Sequence, residues 1–190
     1  LCESMVLSGP LEPTNEGYAL AKIFALRLCE YIRHENPRYI YKTLIPCNLY
    51  GYYDSFEPQS SHLVASIIYK LHLAKTAGAT TVAIWGDGNA RREFMFSADL
   101  AEAVWRAVDD LAALPDLMNI GTGIDYSVND YYGVAAEVIG WTGRFEHDVS
   151  RPTGMARKIG AISRQTEWGW QPRTTIEDGL ARTYLHYLEE

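Results

Sequence analysis

The sequence is poor in the features that mark several classes of protein. Only three cysteines, Cys2, Cys29 and Cys47, occur in 190 residues, with no C-x-x-C pair and no histidine at a spacing suited to zinc. That argues against a disulfide framework or a structural zinc module, and reduced thiols of a cytosolic protein are the expectation. No apolar run approaches the ~20 residues that a membrane-spanning helix needs. Basic residues are outnumbered, 17 Lys and Arg against 24 Asp and Glu, for a net charge of -7. Nucleic acid or an anionic membrane is a poor main partner for such a chain, although a local basic pocket for a phosphorylated small molecule is compatible with it. Repeats and low-complexity tracts are absent. Gly-x-Gly occurs at Gly86-Asp87-Gly88 and Gly121-Thr122-Gly123. Neither continues to a third Gly three residues later, so neither is a dinucleotide-binding fingerprint. The chain opens Leu1-Cys2-Glu3-Ser4 with no initiator Met, basic leader or signal-like stretch, and is read as part of a longer one.

What is present is an ordinary globular composition, 47% hydrophobic and 22% charged, in which helix and strand periods alternate. Apolar residues recur at helical spacing from Glu16 to about Glu35, with Asn15 or Thr14 as the expected cap and Pro37 as the stop. Tyr39 to Ile45 reads as a buried strand and Pro46 to Ser60 as a loop. A second helix is expected over Ser61 to Lys75, then strands over Thr80 to Trp85 and Glu93 to Phe96. Ser97 is the expected cap of a helix from Ala98 to about Leu114, with Asp99 and Glu102 near its positive end. Leu117 to Ile120 reads as a strand. Ser127-x-x-Asp130 resembles a capping box before a helix from Tyr131 to Ile139. Phe145 to Asp148 reads as a strand, Ser163 to Trp168 as a short helix, and Thr174-x-x-Glu177 as the capping box of a last helix reaching the end. The class is α/β.

The local pattern with most chemistry in it is Tyr18-Ala19-Leu20-Ala21-Lys22. Tyr and Lys at i and i+4 share a helix face. An ammonium beside a phenol favours the phenolate, which lets such a Tyr trade a proton with a carbonyl or hydroxyl near neutral pH. Taken alone, Y-x-x-x-K is also what a core Tyr and a surface Lys produce.

It does not stand alone. The stretch from Leu11 through Pro13-Thr14-Asn15-Glu16 to Lys22 is accompanied by Ile45-Pro46-Cys47-Asn48-Leu49-Tyr50-Gly51 and Ser61-His62-Leu63. Trp85-Gly86-Asp87-Gly88, Arg91-Arg92-Glu93-Phe94 and Asn119-Ile120-Gly121-Thr122-Gly123 follow in order. Together, over essentially the whole chain, these resemble the extended short-chain dehydrogenase/reductases, and among them the GDP-sugar epimerase/reductases. The resemblance implies the C-terminal part of a Rossmann-like α/β enzyme with a smaller substrate-binding region. Residues 1–56 would end the nucleotide-binding domain, 57–96 belong to the substrate region, 97–123 return to the Rossmann sheet, and 124–190 lie mainly in the substrate region. It implies conversion of GDP-4-keto-6-deoxymannose to GDP-L-fucose with NADPH, in a cytoplasmic homodimer. The family's Gly-rich turn, and a catalytic Ser and Cys, would precede Leu1; Cys2 is not that Cys.

Residue by residue, the resemblance makes Tyr18 the proton donor to the sugar C4 oxygen. Lys22 would bind the nicotinamide ribose and ease proton loss from Tyr18. Pro46, Cys47, Asn48 and Leu49 would line the nicotinamide, with Cys47 where members often have Thr. His62 would be the acid/base partner of the missing Cys in epimerising C3 and C5, beside the cofactor. Lys70, Trp85 and Arg92 would contact the substrate, the two cations at its diphosphate and the indole by stacking. Surface charge is the plainer reading of Lys70 and Arg92, a core anchor that of Trp85, and a capping residue that of His62. Some members have an Asp near Pro152-Thr153-Gly154, and Thr153 departs from it, which leaves the sugar open. Trp168, Trp170 and Tyr184 read as core. Three alternatives remain: a GDP-colitose or GDP-deoxyheptose enzyme, a UDP- or dTDP-sugar 4-epimerase or dehydratase with no need of His62, and a non-catalytic nucleotide-sugar-fold protein.

Overall fold

The computed structural model describes residues 1–58, 61–151 and 154–189. Helix α1 (Glu16–Glu35) has the bounds that the apolar period predicts. Its cap differs. Neither Asn15 nor Thr14 caps it with a side chain; Pro13–Asn15 forms a 3-10 turn, and Glu12 accepts the Thr14 N–H at 3.1 Å and the Thr14 hydroxyl at 2.6 Å. None of the 20 residues of α1 is buried.

The expected strand from Tyr39 shortens to β1 (Thr43–Pro46), and Tyr39, Ile40 and Tyr41 are exposed. A strand needs a partner, and only at Thr43 does the chain meet one, pairing in parallel with β6 (Leu117–Ile120) from Thr43↔Leu117 to Pro46↔Ile120. The expected loop after Pro46 contains a further strand, β2 (Asn48–Tyr50), which pairs in parallel with β5 (Phe94–Phe96). Between them Cys47 donates its N–H to the Ile120 carbonyl at 2.8 Å. The chain therefore changes partners at Cys47.

Helix α2 (Leu63–Thr76) buries Val64, Ala65, Ile67, Ile68, Leu71 and Ala74, a stripe at helical spacing. It leads to β3 (Thr81–Trp85), paired in parallel with β8 (Arg144–Asp148). The two-residue strand β4 (Arg91–Arg92) lies between β7 (Tyr126–Ser127) and β9 (Arg157–Lys158). Helix α3 (Ser97–Asp109) begins at Ser97 itself and stops short of Leu114. Pro115 disfavours helix just before it, and residues 110–114 form a turn in which Ala113 bonds the Asp110 carbonyl at 2.8 Å. Helix α4 (Val128–Ile139) carries the full capping box of Ser127 and Asp130 and ends at Gly140 in the left-handed conformation, φ 75°. After α5 (Ser163–Trp168), helix α6 (Ile176–Tyr187) is capped by Thr175, one residue later than expected. Thr174 is engaged elsewhere, donating to both carboxylate oxygens of Asp99 at 3.0 and 3.2 Å.

Two cores result. The larger joins α2, α4 and α6 to β3 and includes Tyr50, Phe56 and Phe96. The smaller gathers Met95, Ala103, Ala107, Leu114, Met118, Ile120 and Trp170. Consecutive residues of β5 point to opposite faces, Met95 into the smaller core and Phe96 into the larger. A cavity of about 910 Å³ opens between α1 and residues 37–43 and 112–117. Of the residues read as core, Trp170 is buried, while Trp168 and Tyr184 are half-buried at its edges.

Candidate active site

Parallel β1 and β6 end side by side at Pro46 and Ile120. Ligands of α/β sheets collect in the crevice beyond such carboxyl ends, where strand order changes. Pro46 is exposed there, and Cys47, Asn48 and Leu49 are half-buried. Asn48 donates from Nδ2 to the Glu93 carbonyl at 2.8 Å. Burial, then the charge of Glu93, pushes the Cys47 thiol up to about 12, so this sulfur is a packing group at neutral pH.

Glu93, to which the sequence motif assigned no role, joins this group. It is buried, and its carboxylate accepts the N–H groups of Gly123 at 2.8 Å and Gly160 at 2.9 Å. A Cβ on Gly121 would lie 2.3 Å from Glu93 Oε1, and the Gly121 N–H is taken by Gln165 at 2.8 Å. Gly88, at φ 72°, is filled by the Asn129 side chain. Both Gly-x-Gly turns thus receive side chains of this chain, and their geometry does not cradle a pyrophosphate. Neither turn therefore supplies a phosphate cradle among the described residues.

Tyr18 and Lys22 lie in the first two turns of α1, both exposed, with Lys22 Nζ 5.5 Å from the Tyr18 ring centroid. Tyr18 belongs to neither core of the described residues. His62 is the extended residue before α2 and makes no side-chain cap, so its exposed imidazole is not spent on the helix end. It faces Asp54 electrostatically; burial raises the Asp54 carboxyl, against the Ser55 N–H and His62, which lower it. Two turns along α2, Lys70 is half-buried and held below its ordinary pKa by desolvation. Its Nζ lies 4.8 Å from the Trp85 ring centroid. Trp85 is 62% exposed, so it is not a core anchor. Arg92 donates from Nη1 to the carbonyls of Arg91 at 2.8 Å and Met155 at 2.6 Å. The structure therefore brings together Tyr18 with Lys22, Cys47 and Asn48 with Glu93, and Lys70 with Trp85. Thr153 lies outside the described residues. Among the described residues no group of three His, Cys, Asp or Glu side chains could hold a metal ion, and no helix is long and apolar enough to cross a membrane. The three cysteines are free.

Residues 2–121 match the NAD dependent epimerase/dehydratase family. The chain belongs to that family. Among similar epimerase/dehydratase proteins, a GDP-L-fucose synthase of Azorhizobium caulinodans is 49% identical over 188 residues, which are 99% of this chain and 60% of the relative. A GDP-L-colitose synthase of Yersinia pseudotuberculosis is 45% identical over 190 residues, 100% of this chain and 62% of the relative. The chain thus spans about three fifths of the length of these relatives. Among solved structures, a GDP-6-OMe-4-keto-L-xylo-heptose reductase from C. jejuni superposes with a TM-score of 0.86 at 26% identity, over 96% of this chain and 63% of that one. A GDP-mannoheptose C4 reductase from Campylobacter jejuni with NADP bound gives a TM-score of 0.82 at 26% identity, over 96% and 62%.

Proposed function

We propose that this chain is the substrate-handling part of an NADPH-dependent GDP-sugar epimerase/reductase that makes GDP-L-fucose from GDP-4-keto-6-deoxymannose. It would act within an enzyme that also includes the length its relatives have beyond this chain. The observation that carries the reading is α2. One helix has at its start an imidazole that makes no side-chain cap and, two turns later, a half-buried ammonium over an exposed indole. An acid/base group and a phosphate-directed cation are thus held at a fixed separation, as epimerisation of a nucleotide-linked ketose requires. A plain 4-epimerase has no use for the imidazole.

In this reading Lys22, Pro46, Cys47, Asn48, Leu49 and His62 hold the nicotinamide end of the cofactor, which when bound supplies the hydride. Tyr18 gives its proton to the C4 oxygen as that carbon is reduced, and Lys22 keeps the phenol ready to do so. His62 moves a proton at C3 or C5; a neutral imidazole accepts and its cation donates near pH 7, which suits a step run in both directions. Lys70, Trp85 and Arg92 hold the diphosphate and stack on the nucleotide or sugar. Of the proposed divisions between nucleotide- and substrate-binding regions, those at residues 96 and 123 fall near changes of core, at Met95–Phe96 and between Ile120 and Tyr131, whereas near residue 56 the change falls earlier, with Tyr50 and Phe56 already in the larger core. Dimerisation belongs to the same proposal. The colitose-synthase relative at 45% identity favours one second reading, in which the same residues act on a more deoxygenated GDP-hexose.

The test joins this chain to the remaining part of the Azorhizobium caulinodans relative and supplies GDP-4-keto-6-deoxymannose with NADPH in deuterated water. Tyr18→Phe slows reduction by roughly 10²–10⁴ while deuterium still enters C3 and C5. His62→Gln does the reverse, suppressing exchange while reduction of the unepimerised ketone continues. Normal exchange and normal product from His62→Gln refute the assignment.

A further inference from the structure

A single residue joins two sheets. Strand β4, which ends at Arg92, lies between β7 and β9, whereas β5, which begins at Phe94, pairs with β2. Glu93 is the step between them. On the β2 side are Asn48 and Leu49, proposed above for the nicotinamide end of the cofactor. On the β4 side is Arg92, proposed for the diphosphate. The separation of these two groups is set across Glu93.

The buried carboxylate of Glu93 reaches the segments that flank β4. Its Oε1 accepts the Gly123 N–H at 2.8 Å and the Thr122 hydroxyl at 3.3 Å, in the turn that leads from β6 to β7. Its Oε2 accepts the Gly160 N–H at 2.9 Å, just past β9. The main-chain carbonyl of Glu93 takes the Asn48 Nδ2 at 2.8 Å, and the Arg92 carbonyl takes the Tyr131 hydroxyl at 3.0 Å. Among the described residues the donors to the carboxylate are two amides and a hydroxyl, none of them a cation. Burying a carboxylate without a cation is costly, and an apolar side chain would fill the corner at lower cost. What the carboxylate adds is placement, because its two oxygens hold two separate segments. The space is fixed as well, since a Cβ on Gly121 would lie 2.3 Å from Oε1.

We propose that Glu93 is a positioning residue for hydride transfer: it locks the strand that carries Arg92 to the loop that carries Asn48, and so sets the sugar ketone against the nicotinamide. This rests on the reading of Asn48 and Arg92 given above. Glu93 itself touches neither ligand in that reading. Its loss should spare the binding of each ligand and damage the step that needs both in register, where a misplacement of about 1 Å slows reaction by about 10²-fold. Glu93→Gln is the sharp probe. It keeps the shape but has one acceptor oxygen, so its NH2 group meets an amide N–H of Gly123 or Gly160 that it cannot accept. Exchange at C3 and C5 is assigned to His62, which the larger core places through α2, and should persist.

The test uses this chain joined to the remaining part of the Azorhizobium caulinodans relative. Calorimetry gives the NADPH and GDP affinities, NADPH absorbance gives single-turnover hydride transfer to GDP-4-keto-6-deoxymannose, and NMR gives deuterium entry at C3 and C5. Glu93→Gln slows hydride transfer about 10- to 100-fold, while both affinities stay within a few-fold of wild type and exchange continues. Gly121→Ala crowds Oε1 without altering the charge and gives the same signature. Hydride transfer at the wild-type rate in either variant overturns the proposal. So does a parallel loss of affinity, exchange and transfer in Glu93→Gln, which would make Glu93 a folding residue only. A joined wild-type enzyme that does not reduce the ketone removes the reading beneath as well, whereas wild-type reduction that survives Glu93→Gln removes Glu93 alone.

Discussion

Helices α1 and α2 each begin with a residue proposed to move a proton, and they are held in contrasting ways. Around His62 the placement is tertiary. Six residues of α2 are buried against α4 and β3, so its start is fixed by the larger core. Around Tyr18 it is local. α1 buries none of its residues, exposes Leu20, Phe24, Leu28 and Tyr31, and borders an open cavity. In α1 the i, i+4 geometry alone sets Tyr18 against Lys22. Among the described residues, the Tyr18–Lys22 geometry rests on helical spacing and the placement of His62 on the larger core.

The sharpest way to break the comparison is to cut into each helix. Leu71→Ala in α2 should cost about 2–5 kcal/mol, because a fully buried side chain leaves a cavity. Phe24→Ala in α1 should stay within about 0.5 kcal/mol. Urea unfolding of both variants measures this, and similar losses would show that α1 is packed after all.

A smaller effect sharpens the packed side. Asp125 is buried between Arg157 and Arg91, the latter at 2.9 Å. The Arg157 hydrogen bond, then that of Arg91, holds its carboxyl below the usual carboxylate range. A group depressed in the folded state stabilises above its unfolded value of about 4 and loses that contribution as pH falls through its folded value. Asp125→Asn should therefore be less stable than wild type at pH 7, and the gap should narrow on acidification below about pH 4. Thermal melts across that range test it; a gap that stays constant would deny the pair its electrostatic role.

The smallest effect is at the cysteines. Cys2 is exposed and lowered mainly by its hydrogen bond to Ser4, whereas Cys47 is raised to about 12 by burial and Glu93. Iodoacetamide at pH 8 should label Cys2 readily and Cys47 only after unfolding, as read by peptide mass spectrometry. Prompt labelling of Cys47 in the folded chain would mean that the strand junction opens.

What could be read from residues alone follows the same division. The bounds of α1 and the Ser127–Asp130 capping box are local patterns, and both stand in the structure. The start of β1 at Thr43 and the existence of β2 depend on parallel partners about 74 and 46 residues away along the chain, which no short window reveals. The last helix was displaced by one residue because Thr174 answers to Asp99 across the fold. Among the residues proposed for the site, Tyr18, Lys22 and His62 are marked by their motifs. Glu93 lay inside one such motif, where a carboxylate before two phenylalanine-bearing strand positions was the available signal.

The alternation at Met95 and Phe96 has a consequence for how this chain tolerates change. Neighbouring side chains on one strand are committed to different interiors, and Leu49 and Tyr50 beside them are divided the same way. Inserting or deleting a single residue there would send a phenylalanine to where a methionine belongs and the reverse, damaging both interiors together. Length variation among related chains should therefore accumulate in the turns and leave these two short strands untouched.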